Sequence, residues 1–156
     1  MIRVSLIVAA LALAACAPTT TATTEVRPGG VEPVQQTEVA PPTPAEVTTR
    51  IRLEQNGQTV NVAVGQRFAV ELVGVPTAGY AWSATQTPAF LTASGEATGN
   101  TTQAQSQPGF AGGNHWEVFM FTANAAGQGE LVLEQRRPWE TNQPPAQTFR
   151  VTIVAR

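Results

Sequence analysis

The stretch RFAVELVGVPTAGYAWSAT, Arg67 to Thr85, joins two strand-like runs through a short loop and decides the fold class. In the first run every second residue is large and apolar, namely Phe68, Val70 and Leu72. This period of two predicts a β-strand with one buried face and with Ala69 and Glu71 on the other. The second run contains Trp82, which we expect to be the buried aromatic between two sheets, with Trp116 as the second candidate.

Short alternating runs of the same kind continue to the C-terminus. The run RIRLEQNGQTVNVAV is typical of a β-hairpin, because Asn56-Gly57 favours a tight primed turn. In HWEVFMFTA, Phe119 and Phe121 lie on the second face of the strand, so partial cover of both faces is expected. No run of helical length has a period of 3.6 residues. We therefore predict an all-β fold, an immunoglobulin-like antiparallel β-sandwich of about seven to nine strands.

The N-terminal residues MIRVSLIVAALALAAC have the pattern of a secretory signal. Arg3 precedes an apolar run from Val4 to Leu13, which is shorter than the roughly 20 residues of a bilayer-spanning helix. The ending LAAC resembles the lipobox of bacterial lipoproteins, which implies that residues 1–15 are removed and that Cys16 is lipidated. An ordinary signal cleaved nearby, with a free thiol on Cys16, is the alternative.

The segment after the cysteine, to about Val47, is rich in Thr, Pro, Ala, Val and Gln. It shows neither a strand period nor a helix period, so it is expected to stay extended and mobile. The predicted organisation is a signal peptide at 1–15, a lipidated cysteine with a disordered tether at 16–47, and a sandwich domain at 48–156. Such a tether would let a membrane-anchored domain reach its partners.

Composition excludes several classes of function. The formal net charge is −2, so a nucleic-acid partner has no electrostatic basis. Every basic residue is Arg and every acidic residue is Glu, which excludes a Lys Schiff base and an Asp-containing triad. His115 is the single histidine, so a site with several His ligands is excluded and neither a metal nor a cofactor is predicted. We expect His115 to be a solvent-edge or hydrogen-bonded strand residue rather than a general base.

Four carboxylates are candidates for a glycosidase-like pair: Glu117, Glu130, Glu134 and Glu140. Strand alternation places Glu117 and Glu134 at solvent-facing positions, which favours a surface role. The segment GFAGGN is rich in glycine, but no helix and no Lys-Ser or Lys-Thr pair follows it, so it is not a phosphate loop. Since no catalytic constellation emerges, we predict a binding protein and not an enzyme.

Three segments interrupt the strand pattern. The first loop is GVPTAGY, Gly74 to Tyr80, in which Pro76 fixes its own φ and Gly79 permits a positive φ. The second loop is SQPGFAGGNHW, Ser106 to Trp116, and the third loop is RRPWE, Arg136 to Glu140. Loops between alternate strand pairs cluster at one end of an immunoglobulin-like sandwich, so these stiff loops would together form a wedge.

From about Arg50 to Arg156 the chain resembles the chagasin family of cysteine-peptidase inhibitors. The family has the motifs Asn-Pro-Thr-Thr-Gly, Gly-x-Gly-Gly and Arg-Pro-Trp (or Phe) on alternate loops of a sandwich. This chain has VPTAG at Val75–Gly79, GFAGG at Gly109–Gly113 and RPW at Arg137–Trp139, in the same order. The residues that the resemblance assigns to peptidase binding are Val75, Pro76, Thr77, Ala78, Gly79, Gly109, Phe110, Gly112, Gly113, Arg137, Pro138 and Trp139.

The chain departs from the family pattern in two loops. Val75 stands where the family has Asn, and Ala78 replaces its second Thr, so two polar side chains are lost. In the glycine-rich loop, either one extra residue separates Gly109 from Gly112 or Phe110 replaces the first glycine. The choice of target peptidase is therefore expected to differ from that of family members with the full motifs.

The resemblance implies a reversible, non-covalent inhibitor of papain-like cysteine peptidases that is a monomer. Its first loop would lie over the catalytic Cys and His, and the other two loops would grip the sides of the cleft. Trp139 would lie on an aromatic surface, and Arg137 would reach acidic or carbonyl acceptors. Ala17 after the lipid cysteine indicates, by resemblance to lipoprotein sorting, the outer membrane and its periplasmic or surface face. The alternative function is a non-inhibitory sandwich module of the cell envelope that binds another protein or a glycan.

Overall fold

The alternating runs form eight β-strands in the computed structural model, which describes residues 37–156. The strands are β1 Thr49–Arg52, β2 Thr59–Val62, β3 Arg67–Gly74, β4 Ala81–Gln86, β5 Leu91–Asn100, β6 His115–Ala123, β7 Gly127–Arg136 and β8 Gln147–Ala155. Short 3-10 turns occupy Leu53–Gln55, Pro76–Ala78 and Gln103–Ser106. The predicted signal peptide, the lipidated Cys16 and the tether up to residue 36 lie outside the described residues. Within residues 37–156, no helix has the length and apolar character needed to cross a bilayer.

The strands form two four-stranded sheets that confirm the predicted sandwich. The first sheet has the order β1-β3-β6-β5 and the second sheet has the order β2-β8-β7-β4. Central pairings are antiparallel, whereas β1 pairs parallel to β3 and β2 pairs parallel to β8. The fold is therefore antiparallel except at one edge of each sheet.

The main core lies between the sheets and is built from the alternating positions of the strands. Phe68 and Phe121 stack there with their ring centroids 5.8 Å apart. Trp82, only 5 % exposed, is the predicted buried aromatic, and its Nε1 donates to the carbonyl oxygen of Val73 at 3.0 Å. Trp116 is also buried, but it belongs to the opposite face of β6 from Phe121.

Residues 37–47, which we name the N-terminal strap, cover the outer face of the first sheet. Val47 is fully buried and forms a second apolar cluster with Ala69, Val118 and Met120. Composition assigned these residues to the tether, so the structure differs from the expectation over this part of it. A segment that packs on a ready-made sheet face needs no period of its own, and for that reason periodicity did not reveal the strap.

The strap also buries the carboxylate of Glu71, which the sequence placed on the outer face of β3. Glu71 is 1 % exposed, accepts from Arg52 Nε at 2.8 Å and from Thr43 Oγ1 at 2.5 Å, and lies 3.7 Å from Arg50. A buried carboxylate needs such partners, because an unpaired buried charge carries a large desolvation penalty. Covering this face therefore depends on an ion-pair cluster as well as on apolar contacts.

The prediction of a hairpin at Asn56-Gly57 was wrong. The strands on either side lie in different sheets, since β1 pairs with β3 and β2 pairs with β8. Asn56 has φ −57° and ψ 128°, and Gly57 has φ 76°, which is a type II turn rather than a primed one. Arg150 in β8 donates its backbone N–H to Asn56 Oδ1 at 2.8 Å, so the turn is docked on the second sheet. Turns of this type splay the flanking strands instead of pairing them.

Packing of the strap predicts a stability difference between two valines. Val47→Ala should lower the free energy of unfolding by about 2 kcal/mol, because it opens a cavity beneath the strap. Val64→Ala is the matched control at an exposed valine, and a change below about 0.5 kcal/mol is expected. Denaturant unfolding of the full chain measures both, and equal effects would show that the strap does not pack on the sheet.

Candidate functional site

The three loops leave the sandwich at the same end. Gly74 at the end of β3 is in register with His115 at the start of β6, and Asn100 at the end of β5 pairs with the same histidine. In the second sheet, Ala81 at the start of β4 is in register with Arg136 at the end of β7. The first loop crosses between the sheets, the second loop connects β5 to β6, and the third loop follows β7.

The first loop is a closed turn with few free backbone groups. Pro76–Ala78 form a 3-10 turn that ends at Gly79, whose φ is 81°. The carbonyl oxygen of Val75 accepts from the N–H groups of Ala78 at 3.0 Å and Tyr80 at 3.2 Å, and that of Pro76 accepts from Gly79 at 2.9 Å. Thr77 lies exposed near the middle of this turn. Sequence therefore predicted both the proline constraint and the positive φ correctly.

Arg137 of the third loop is bonded to the first loop. Its Nε donates to the carbonyl oxygen of Ala78 at 3.0 Å, and its guanidinium carbon lies 4.5 Å from the centroid of the Tyr80 ring. Its Nη1 donates to Glu140 Oε1 at 2.9 Å. Arginine stacks well on aromatic faces and forms several directed hydrogen bonds at once. In the free protein, Arg137 thus joins two loops.

Trp139 lies against Gly79 and remains largely open to solvent. Its side chain is 67 % exposed, although its six-membered ring occupies the space where a Cβ on Gly79 would lie. Gly79 therefore serves two needs at once, a left-handed φ and a close approach by the indole. Pro138 between Arg137 and Trp139 is exposed and restricts the backbone that carries the indole.

The second loop is shaped by glycines. Gly109, Gly112 and Gly113 have φ values of 82°, 89° and 97°, which favour glycine strongly. Phe110 between them is 43 % exposed. A Cβ on Gly109 or Gly112 would meet no other atom, so backbone conformation and not crowding demands glycine there.

Gln105 holds the second loop from the inside, and sequence reasoning missed it. Its Oε1 accepts from the backbone N–H groups of Thr101 at 2.7 Å and Thr102 at 2.9 Å. Its Nε2 donates to the carbonyl oxygen of Asn114 at 2.7 Å, which closes the loop across its base. The Thr-x-x-Gln spacing of Thr102 and Gln105 is that of a capping box, and this signal would have identified it.

The structure therefore joins the first and third loops directly and places the second loop beside them. Apart from the β3–β6 ladder, which pairs Gly74 with His115, no hydrogen bond within residues 37–156 connects the second loop to the other two. A groove of about 360 Å³ is lined by Val75 of the first loop and Asn114 of the second. In the wedge expected from sequence, the first and third loops thus form one unit, and the second loop is held separately.

Glu117 faces inward, and its predicted solvent-facing position was wrong. It shares the inner face of β6 with Phe119 and Phe121, and its Oε2 accepts from the backbone N–H of Trp82 at 2.8 Å. Gly74 leaves room for the other carboxylate oxygen, because a Cβ there would overlap it. Burial raises the pKa of Glu117, although the hydrogen bond from Trp82 opposes this effect. The carboxylate ties the two sheets together beneath the first loop.

The remaining candidates for chemistry are engaged with arginines. Glu134 accepts from Arg136 Nε at 2.9 Å, Glu130 lies 3.2 Å from Arg150, and Glu140 pairs with Arg137. His115 is half-buried at the start of β6. Across residues 37–156, no group of three or more His, Cys, Asp and Glu side chains is arranged to hold a metal ion.

Comparisons with known proteins agree with this architecture. A family model described as "Chagasin family peptidase inhibitor I42" matches residues 61–153. Amoebiasin-1 of Entamoeba histolytica is 32% identical over 92 residues, which is 57% of this chain and 82% of that protein. The N-terminal strap precedes the residues that the family model matches.

Two solved structures share the fold. The crystal structure of the cysteine protease inhibitor EhICP2 from Entamoeba histolytica aligns with a TM-score of 0.61 and 18% identity, over 73% of this chain and 100% of that chain. The solution structure of amebosin aligns with a TM-score of 0.55 and 26% identity, over 69% of this chain and 97% of that chain. The similarity to EhICP2 concerns the sandwich itself.

Glu117 generates a pH prediction. Because the native pKa of this acid is raised, the folded state binds the proton more tightly than the unfolded state, and ionisation destabilises the fold. The contribution of Glu117 to the free energy of unfolding is largest below its unfolded-state pKa and falls as the pH rises through its native-state pKa. Glu117→Gln keeps an acceptor for the Trp82 N–H but removes the charge. Wild type should therefore lose stability relative to Glu117→Gln between about pH 4 and about pH 7.

Chemical denaturation of both proteins at the two pH values measures this difference. Glu54→Gln is the control, since Glu54 is exposed in the turn after β1. A wild-type advantage over Glu117→Gln that grows with pH would show that ionisation of Glu117 does not destabilise the fold.

Proposed function

This chain belongs to the chagasin family of peptidase inhibitors, and from this membership we propose that it inhibits papain-like cysteine peptidases reversibly and without a covalent bond. The three loops at one end of the sandwich would fill the active-site cleft. Lipidation of Cys16 would hold the protein at the cell envelope, at the outer membrane on its periplasmic or surface side.

The observation that carries this proposal is the exposed indole of Trp139 on a rigid support. A tryptophan that is 67 % exposed leaves a large apolar surface in water, and tryptophan is enriched among residues that dominate binding energy. Gly79 and Arg137 hold the loops in place before any partner arrives. Little conformational entropy is then lost on binding, which favours affinity.

The first loop is suited to occupy a cleft without being cleaved. Its carbonyl oxygens at Val75 and Pro76 accept hydrogen bonds within the turn, and that of Ala78 accepts from Arg137. A peptide in this 3-10 turn does not present an extended backbone with a free scissile carbonyl. Near-attack geometry for the catalytic thiolate is thereby denied, and the complex can dissociate intact.

The two flanking loops would contact the peptidase in different ways. In the second loop the glycines allow a close approach of backbone, and the exposed Phe110 offers an apolar contact. In the third loop Trp139 would lie on an aromatic surface. The bonds of Arg137 to Ala78 and Glu140 support a role in holding the loops together in addition to reaching acceptors on the peptidase.

Removal of the indole gives the first test of this proposal. Trp139→Ala should weaken inhibition of papain by about 2 kcal/mol, or roughly thirtyfold in the inhibition constant, because the anchor is lost. Titration of the full-length chain in detergent against papain with a fluorogenic substrate measures the change. Val64→Ala, at an exposed site before β3, is the control. Equal potency of wild type and Trp139→Ala would exclude this residue as the anchor.

A pair of glycine substitutions separates backbone strain from loop displacement. Gly79→Ala and Gly57→Ala both place an L-residue at a φ near 80°, but only the first pushes a Cβ into Trp139. Both should lower stability by about 1 kcal/mol, and only Gly79→Ala should also weaken inhibition, by about tenfold or more. Unfolding and inhibition assays are run on the same samples. Inhibition that falls equally in both variants would contradict the proposed contact.

A further inference from the structure

We propose that the N-terminal strap, residues 37–47, holds the second loop in its binding position, so that tight inhibition depends on a segment outside the family-matched residues 61–153. This inference rests on the proposed inhibitory function. It starts from the observation that the strap is hydrogen-bonded on both sides of the second loop, where the chain enters it and where the chain leaves it.

The first attachment is a short antiparallel bridge before the loop. Val39 donates its backbone N–H to the carbonyl oxygen of Thr101 at 2.8 Å, and Gln103 donates its own to that of Thr37 at 2.9 Å. Glu38 is thereby paired with Thr102. These partners lead directly into the 3-10 turn that carries Gln105, the residue that closes the loop from inside.

The second attachment is at the C-terminal end of the loop. Trp116, the second residue of β6, donates its Nε1 to the carbonyl oxygen of Val39 at 2.7 Å and is itself buried. Val39 therefore bonds to Thr101 before the loop and to Trp116 at the C-terminal end of the loop. The strap thus joins the two ends of the second loop through a single residue.

The rest of the strap is fixed to the first sheet, so it can act as a support. Pro42 packs against Gly99 of β5, and Thr43 donates to the buried carboxylate of Glu71. Val47 ends the segment in the second apolar cluster. A support anchored at several points along β3 and β5 transmits little motion to the loop it holds.

Beyond the hydrogen bonds that Thr101 and Gln105 make across its base, the second loop has little support of its own. Its glycines lose more conformational entropy on ordering than other residues, and the residues from Ser106 to Asn114 are exposed. In contrast, the first and third loops support each other through Gly79, Arg137 and Trp139. Ordering the second loop in advance would lower the entropy lost when it meets the peptidase.

Two substitutions in the full-length chain test this inference. Trp116→Phe keeps an aromatic ring but loses the N–H that donates to the carbonyl oxygen of Val39. Val39→Pro removes the backbone N–H that donates to the carbonyl oxygen of Thr101. Each should weaken inhibition of papain about threefold to tenfold. Each should also speed hydrogen exchange at amides of residues 105–114 while leaving those of the first loop unchanged.

Ile153→Val is the matched control, because it loosens the main core in the second sheet, away from the strap. It should lower stability to a similar extent without changing exchange in the second loop or the inhibition constant by more than about twofold. If Ile153→Val weakens inhibition as much as Trp116→Phe, the effect is general destabilisation and the inference fails.

The hydrogen-exchange measurement separates this inference from the proposed function. Should the wild-type chain inhibit neither papain nor its relatives, the proposed function fails, while faster exchange in both strap variants would still show the support. Unchanged exchange in the second loop, or unchanged inhibition in both strap variants of an active inhibitor, overturns the inference.

Discussion

Trp82 makes the connection on which the loop-bearing end of the sandwich depends. Its indole N–H donates to Val73 of β3 and its backbone N–H donates to Glu117 of β6, while the residue itself belongs to β4 in the other sheet. The two sheets are therefore joined directly beneath the first loop. Because the first loop crosses from β3 to β4, its two ends are held at a set separation, and the turn between them is closed by its own hydrogen bonds. The third loop then packs on that turn.

The departures from the family motif are compatible with this construction. Val75 and Ala78 lack the polar side chains of the family pattern, but each contributes to the loop through its carbonyl oxygen. Backbone acceptors do not depend on the side chain, so the turn keeps its shape. The side chains at positions 75 and 78 are then free to vary, which is compatible with the proposed difference in target choice.

The structural features that depend on a local sequence pattern could be predicted. Alternation indicated the strands and the sandwich, and the position of Gly79 in the loop predicted its positive φ. Features set by distant contacts were not predictable in the same way. Asn56-Gly57 forms a turn that is docked on β8. Glu117 faces inward and accepts a hydrogen bond from the other sheet instead of facing solvent. The strap packs on the first sheet although its sequence has no strand or helix period. In each case tertiary partners decided the outcome against the local signal.

Under the proposed function, an intact, pre-shaped loop end blocks a cysteine-peptidase cleft. Titration of papain with the full-length chain in detergent, followed by dissociation of the complex and mass spectrometry of the recovered chain, tests it most directly. We expect one-to-one inhibition that competes with substrate, and a first loop recovered uncleaved. Inhibition that does not compete with substrate, cleavage within Val75–Gly79, or no inhibition of papain and related peptidases would contradict it.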